Sequence, residues 1–176
     1  NLVTKRPQFL SGGEVKATYG SWEQVRLEAD VQTVLGSKED VGLRLVGFYE
    51  DAESFRDTVE TEKVGFYPSL SWEFSEDTRM TYELEYTEQK IPFDRGVIAI
   101  DGKLGIQPIE TFVGDPSGDR INTDVVGHQL EISHKLNDDW NLLLGAGLRD
   151  TTFEGNALET NFEGRQTVFI DPDQTL

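Results

Sequence analysis

The run TRMTYELEYTEQK, Thr78 to Lys90, sets Met80, Tyr82, Leu84 and Tyr86 in strict alternation with Arg79, Thr81, Glu83 and Glu85. A period of two is that of an extended strand with one apolar and one charged face. A helix fits badly, because its apolar stripe would have to include Glu83 and Thr87. The pattern recurs along the chain. Between Val64 and Phe74 the even positions Val64, Phe66, Pro68, Leu70, Trp72 and Phe74 are all apolar. Val25–Leu35, Gln129–Leu136 and Trp140–Leu148 alternate in the same way, whereas in Val41–Asp51 the apolar Val46 and Phe48 fall on the polar side. Strands are expected near residues 14–20, 23–35, 40–53, 60–74, 79–90, 126–136 and 140–153, with an eighth near 162–170.

Connections of two kinds separate these strands. Short polar turns lie at GSKED, SEDT and NDDW, and longer segments near 52–60, 91–125 and 154–162. Apart from the tight YGSWE hairpin they alternate, so one sheet edge gathers the short turns and the other most of the long segments. Residues 91–125 are too rich in Gly, Pro and Asp for a helix.

A soluble sandwich would turn its apolar faces into a dry core. An outer-membrane barrel would turn them to lipid and line its lumen with polar residues, with short turns at one end and long loops at the other. Strand length favours the barrel: sandwich strands usually run about 5–6 residues, membrane strands about 9–11. Trp72, Phe74 and Trp140 lie beside short turns, where an interfacial girdle belongs. The polar-face carboxylates Glu28, Asp30, Glu73, Glu83, Glu85 and Glu131 suit a hydrated lumen.

Composition narrows the function. A net charge of −17 disfavours binding to nucleic-acid phosphates. With no cysteine there is neither a disulfide framework nor a thiolate metal site. No stretch approaches the roughly 20 apolar residues of a membrane helix, and both ends of the chain read as cuts through a longer polypeptide.

Five motifs in order then carry a resemblance: NLVTKRP (Asn1–Pro7), YGSWEQVRLEADV, RLVGFYEDAESFRDTVE, PSLSWEFSEDTRMTYELEY and PFDRG, with ALETNFEGRQTV (Ala157–Val168) extending it. Together they resemble TonB-dependent siderophore receptors of Gram-negative outer membranes, in which the first motif closes the plug domain and leads into the barrel. The resemblance implies an all-β antiparallel meander of about eight long strands, part of a large transmembrane barrel. Residues 1–11 would end the plug and residues 12–176 would begin the barrel. It further implies a transporter rather than an enzyme, placed in outer-membrane lipid and taking a ferric siderophore. TonB would engage a region outside this chain. The short turns would be periplasmic and the long segments extracellular.

No catalytic, cofactor or metal constellation is expected. His128 and His134 lie six apart on one strand face without carboxylate partners at metal-ligand spacing. Glu83/Glu85 and Asp138/Asp139 read as lumen wall and turn rather than acid–base dyads. The candidate ligand contacts are Phe93 and Arg95 in IPFDRG, and Phe55 and Arg56 in SFRD, because aromatic and cationic side chains suit aromatic, hydroxamate or carboxylate chelators. The alternative for PFDRG is local pairing of Asp94 with Arg95 to hold the loop base. Iron would arrive wrapped in its chelator. Two other readings fit the pattern: a self-contained small outer-membrane barrel or adhesin, and a soluble acidic carbohydrate-binding sandwich.

Overall fold

The computed structural model describes residues 4–156 except 98, 100, 101, 117 and 119. Seven antiparallel strands follow one another in a single sheet: β1 Gly12–Tyr19, β2 Val25–Leu35, β3 Val41–Glu53, β4 Glu60–Ser75, β5 Thr78–Pro92, β6 Arg120–Lys135 and β7 Asn141–Gly155. Each strand pairs with its sequence neighbours, and among the described residues β7 does not close onto β1, so the sheet is open. The eighth strand expected near 162–170 lies outside the described residues, as does the ALETNFEGRQTV motif.

The register fixes the two faces. Leu84 pairs with His128, and Glu83 with Gln129. Odd residues of β4, β5 and β6 therefore share a face with the even residues of β2 and β3. That inner face carries Arg26, Glu28, Asp30, Arg44, Ser69, Thr81, Glu83 and Glu131. The outer face carries Leu43, Leu45, Phe66, Leu70, Trp72, Tyr82, Leu84, Leu130 and Leu144. Among the described residues no second sheet covers the outer face, and Val125 is the one buried aliphatic side chain. A face-packed sandwich needs a dry core, and the described residues have none.

From Val64 to Phe74 the outer residues of β4 stay apolar. At a rise of about 3.3 Å per residue and a tilt near 40°, they span about 25 Å, the height of a barrel's lipid-facing band. Aromatics mark both borders. Trp72 and Phe74 stack at 4.1 Å beside the turn before Thr78, and Tyr49 and Tyr86 mark the other border. Their hydroxyls donate to Asp51 (3.4 Å) and Glu88 (3.2 Å), which turns the polar ends toward water.

One sequence expectation changes. The connection expected over residues 91–125 is shorter, because β5 runs to Pro92 and β6 starts at Arg120. Ile121 and Val125 face inward here, opposite to the apolar-out pattern below, so the template missed this stretch of strand above the apolar band. In β3, Val46 and Phe48 do lie on the inner face. Phe48 stacks on Tyr67 (6.4 Å, 20°) beside Gly65, where an added Cβ would fall 2.4 Å from the Phe48 ring. Glycine makes room there for two aromatics.

Candidate functional site

Residues 4–11 form no strand and lie across the inner face. Lys5 pairs with Asp30 of β2 at 2.8 Å, and Ser69 of β4 donates to the Lys5 carbonyl at 3.2 Å. Arg6 bridges two strands: Nη1 donates to Glu131 Oε1 at 2.6 Å and Nη2 to Glu83 Oε2 at 3.0 Å. Arg44 donates to the Arg6 carbonyl (3.1 Å) and holds Asp30 with two 2.8 Å bonds. Pro7 sits over Gly42, where a Cβ would approach its ring to 2.8 Å. The hydrogen bond with Glu131, then that with Glu83, raises the Arg6 pKa against the opposing effect of burial, so the cation is secure. Charge-assisted bonds of this kind are roughly twice as strong as neutral ones.

The other oxygen of Glu83, Oε1, is buried without a partner among the described residues. Beside it a cavity of about 690 Å³ opens between Thr4–Lys5 and the wall, edged by Tyr67, Glu85, Gln129 and Arg149. Higher on the inner wall, Arg26 lies 4.3 Å over the Phe48 ring and pairs with Glu28 and Glu50 at 2.9 Å each.

Sequence reasoning alone singles out none of Lys5, Arg6 and Arg44. The available signal is the adjacent cations of TKRP facing a sheet whose polar side is rich in carboxylates.

The connections 20–24, 54–59 and 93–119 gather at one end of the sheet, the turns 36–40, 76–77 and 136–140 at the other. All four candidate ligand residues lie at the first end. Phe55 meets Trp22 edge-on at 6.4 Å, and Arg95 lies 4.7 Å over the Phe93 ring. Asp94 reaches into the other loop, where its Oδ2 is 2.7 Å from Nε of Arg56. Arg56 also donates to the Thr111 carbonyl at 3.1 Å. The structure thus joins Arg56 to the turn that bears Phe93 and Arg95, and sets Phe55 beside Trp22 instead.

His128 and His134 lie on the outer face, where Nδ1 is 2.7 Å from the Tyr82 hydroxyl and 2.8 Å from the Thr78 hydroxyl respectively. Among the described residues no group of His, Asp and Glu is arranged to hold a metal ion.

An open antiparallel meander with an apolar outer face, ion pairs inside and its longest connection at one end has the architecture of a stretch of barrel wall. No family model matches the chain. It is 32% identical over 161 residues to the metal-pseudopaline receptor of Pseudomonas aeruginosa, a match covering 92% of this chain and 23% of that protein. Over 150 residues it is 28% identical to the ferrioxamine B receptor of Salmonella typhimurium, covering 80% of this chain and 21% of the relative. The pyoverdine outer membrane receptor of Pseudomonas aeruginosa superposes with a TM-score of 0.79 at 20% identity, over 87% of this chain and 23% of that one. The chain thus spans about a quarter of the length of the relatives it matches. In sequence it is similar to these siderophore-type receptors, and in fold to one stretch of their barrel.

Proposed function

We propose that the chain forms part of the wall of an outer-membrane receptor that imports a metal bound to a siderophore-type chelator, and that it transports rather than catalyses. The observation that carries this reading is the different polarity of the two sheet faces. An apolar band faces outward, while the inner face is held by ion pairs to a non-strand segment. In this reading residues 1–11 end the plug, residues 12–176 begin the barrel, and the loops at the Phe93 end are extracellular. TonB acts on a region outside this chain. Ferric chelates are the first ligands to test. A metal–pseudopaline relative also argues for chelates of other metals, since selection rests on the chelator rather than on protein ligands. Phe55, Phe93 and Arg95 are the proposed chelator contacts, with Arg56 as support.

The test uses the full-length receptor in cells lacking other uptake routes for the same chelates. Uptake of radioactive iron is measured with a ferric trihydroxamate and a ferric tris-catecholate, and of nickel with an aminocarboxylate chelate. Uptake of at least one, abolished on loss of TonB, supports the reading. A correctly inserted receptor that takes up none of them opposes it.

A further inference from the structure

We infer that Arg56 is a positioning residue that locks two outer connections into one body and sets the turn bearing Phe93 and Arg95. Its charge marks it in the sequence as a chelator contact, yet that charge is already spent within the protein. Its side chain is 12% exposed, and that of Asp94 21%. The guanidinium reaches both limbs of the long connection, Asp94 at its start (2.7 Å) and the Thr111 carbonyl near its end (3.1 Å). Beside it the Asp57 amide donates to the Glu110 carbonyl at 2.8 Å, a second tie between the same two loops.

Asp94 has a matching double role. Its Oδ1 accepts from the Gly96 amide at 2.8 Å and closes the turn, while its Oδ2 takes Arg56. Gly96 has a φ of 81°, a left-handed conformation that glycine adopts without strain. An added Cβ there would also stand 3.5 Å from Nη2 of Arg56. The SFRD loop adds its own closure, since the Arg56 amide donates to Ser54 Oγ at 3.2 Å. The residue between Phe93 and Arg95 is therefore fixed to the neighbouring loop, and the stacked Phe93–Arg95 pair inherits its position. A planar guanidinium suits this task, because it serves a carboxylate and a carbonyl at once in a fixed geometry.

The mechanical claim needs no ligand; its consequence for binding rests on the proposed function. Two variants of the full-length receptor, Asp94→Asn and Arg56→Lys, are compared with wild type by peptide-level hydrogen exchange after insertion is verified. Asp94→Asn keeps an oxygen for Gly96 but removes the charge facing Arg56. It should speed exchange about tenfold in residues 108–113 and 54–59, as expected for loss of one charge-assisted bond. Arg56→Lys keeps a cation for Asp94 but cannot span to Thr111, so residues 108–113 should loosen while 94–97 stay protected. Changes confined to residues 93–97, or none, overturn the inference.

Binding is then read by fluorescence with the three chelates named above. For a chelate that wild type binds, Asp94→Asn should weaken binding as much as Phe93→Leu. Undiminished binding with loosened loops overturns the positioning role. Binding of none of the three by wild type counts against the functional reading instead, and the exchange data still decide the loop coupling.

Discussion

Adjacent residues of β5 meet opposite environments. Leu84 faces outward near the middle of the apolar band, and Glu83 faces inward onto Arg6. Leu84→Arg in the full-length receptor should cost about 2–4 kcal/mol of insertion stability near the midplane. Glu83→Arg should insert nearly as well as wild type but set a cation against Arg6, freeing residues 4–11. Folding titrations in lipid vesicles read the first effect, and hydrogen exchange across residues 4–11 the second. Equal losses of folding stability from the two changes would refute the face assignment. Gly65 gives a sharper steric case. Its missing side chain is the space taken by the Phe48 and Tyr67 rings, so Gly65→Ala should destabilise by about 1–3 kcal/mol through overpacking. The same titration checks it, and an unchanged midpoint would show that the rings move aside freely. The alternation at Glu83 and Leu84 was legible in the sequence because it repeats locally. The Arg6 bridge was not, since Glu83 and Glu131 lie 77 and 125 residues away and only the register brings them together.

At the level of the element, legibility followed the solvent. The central lengths of β2, β4, β5 and β7 could be read because one face is apolar and the other polar. Above the apolar band the pattern reverses, with Ile121 and the buried Val125 facing inward. Residues 120–125 therefore read as loop, although they pair with β5 throughout, from Val125 opposite Thr87 to Arg120 opposite Pro92. The loop ties were hidden for another reason: Arg56 meets Asp94 across a loop closure that no local pattern records. The boundary correction changes where a deletion can be made. Replacing residues 97–118 by a Gly/Ser linker spares the β5–β6 ladder and the Arg56–Asp94 pair but removes Thr111. The barrel should still insert, while chelate binding and uptake fall; long connections in compact folds are usually functional or disordered. Wild-type binding and uptake by an inserted deletion variant would make the loop dispensable.

For the whole molecule, the decisive property is that the described sheet has two unpaired edges and two faces that need different solvents. Among the described residues β1 pairs only with β2 and β7 only with β6, and every residue of β7 is exposed. Val15, Leu143, Leu148 and Phe153 lie open on these edge strands. Unpaired backbone beside apolar side chains is a template for joining another chain, and one buried aliphatic side chain among the described residues is no core to oppose it. Internal ion pairs do not compensate, because exposed pairs contribute little in water and the Arg6 bridge depends on residues 4–11 staying seated. The isolated 176-residue chain should therefore self-associate in aqueous buffer, and in mild detergent it should lack the resistance to unfolding of the complete receptor. Light scattering with circular dichroism measures the first, and electrophoresis with and without heating the second. A monodisperse, cooperatively melting monomer without detergent would show that the sheet finds its own core, and would reject its assignment as one stretch of a larger wall.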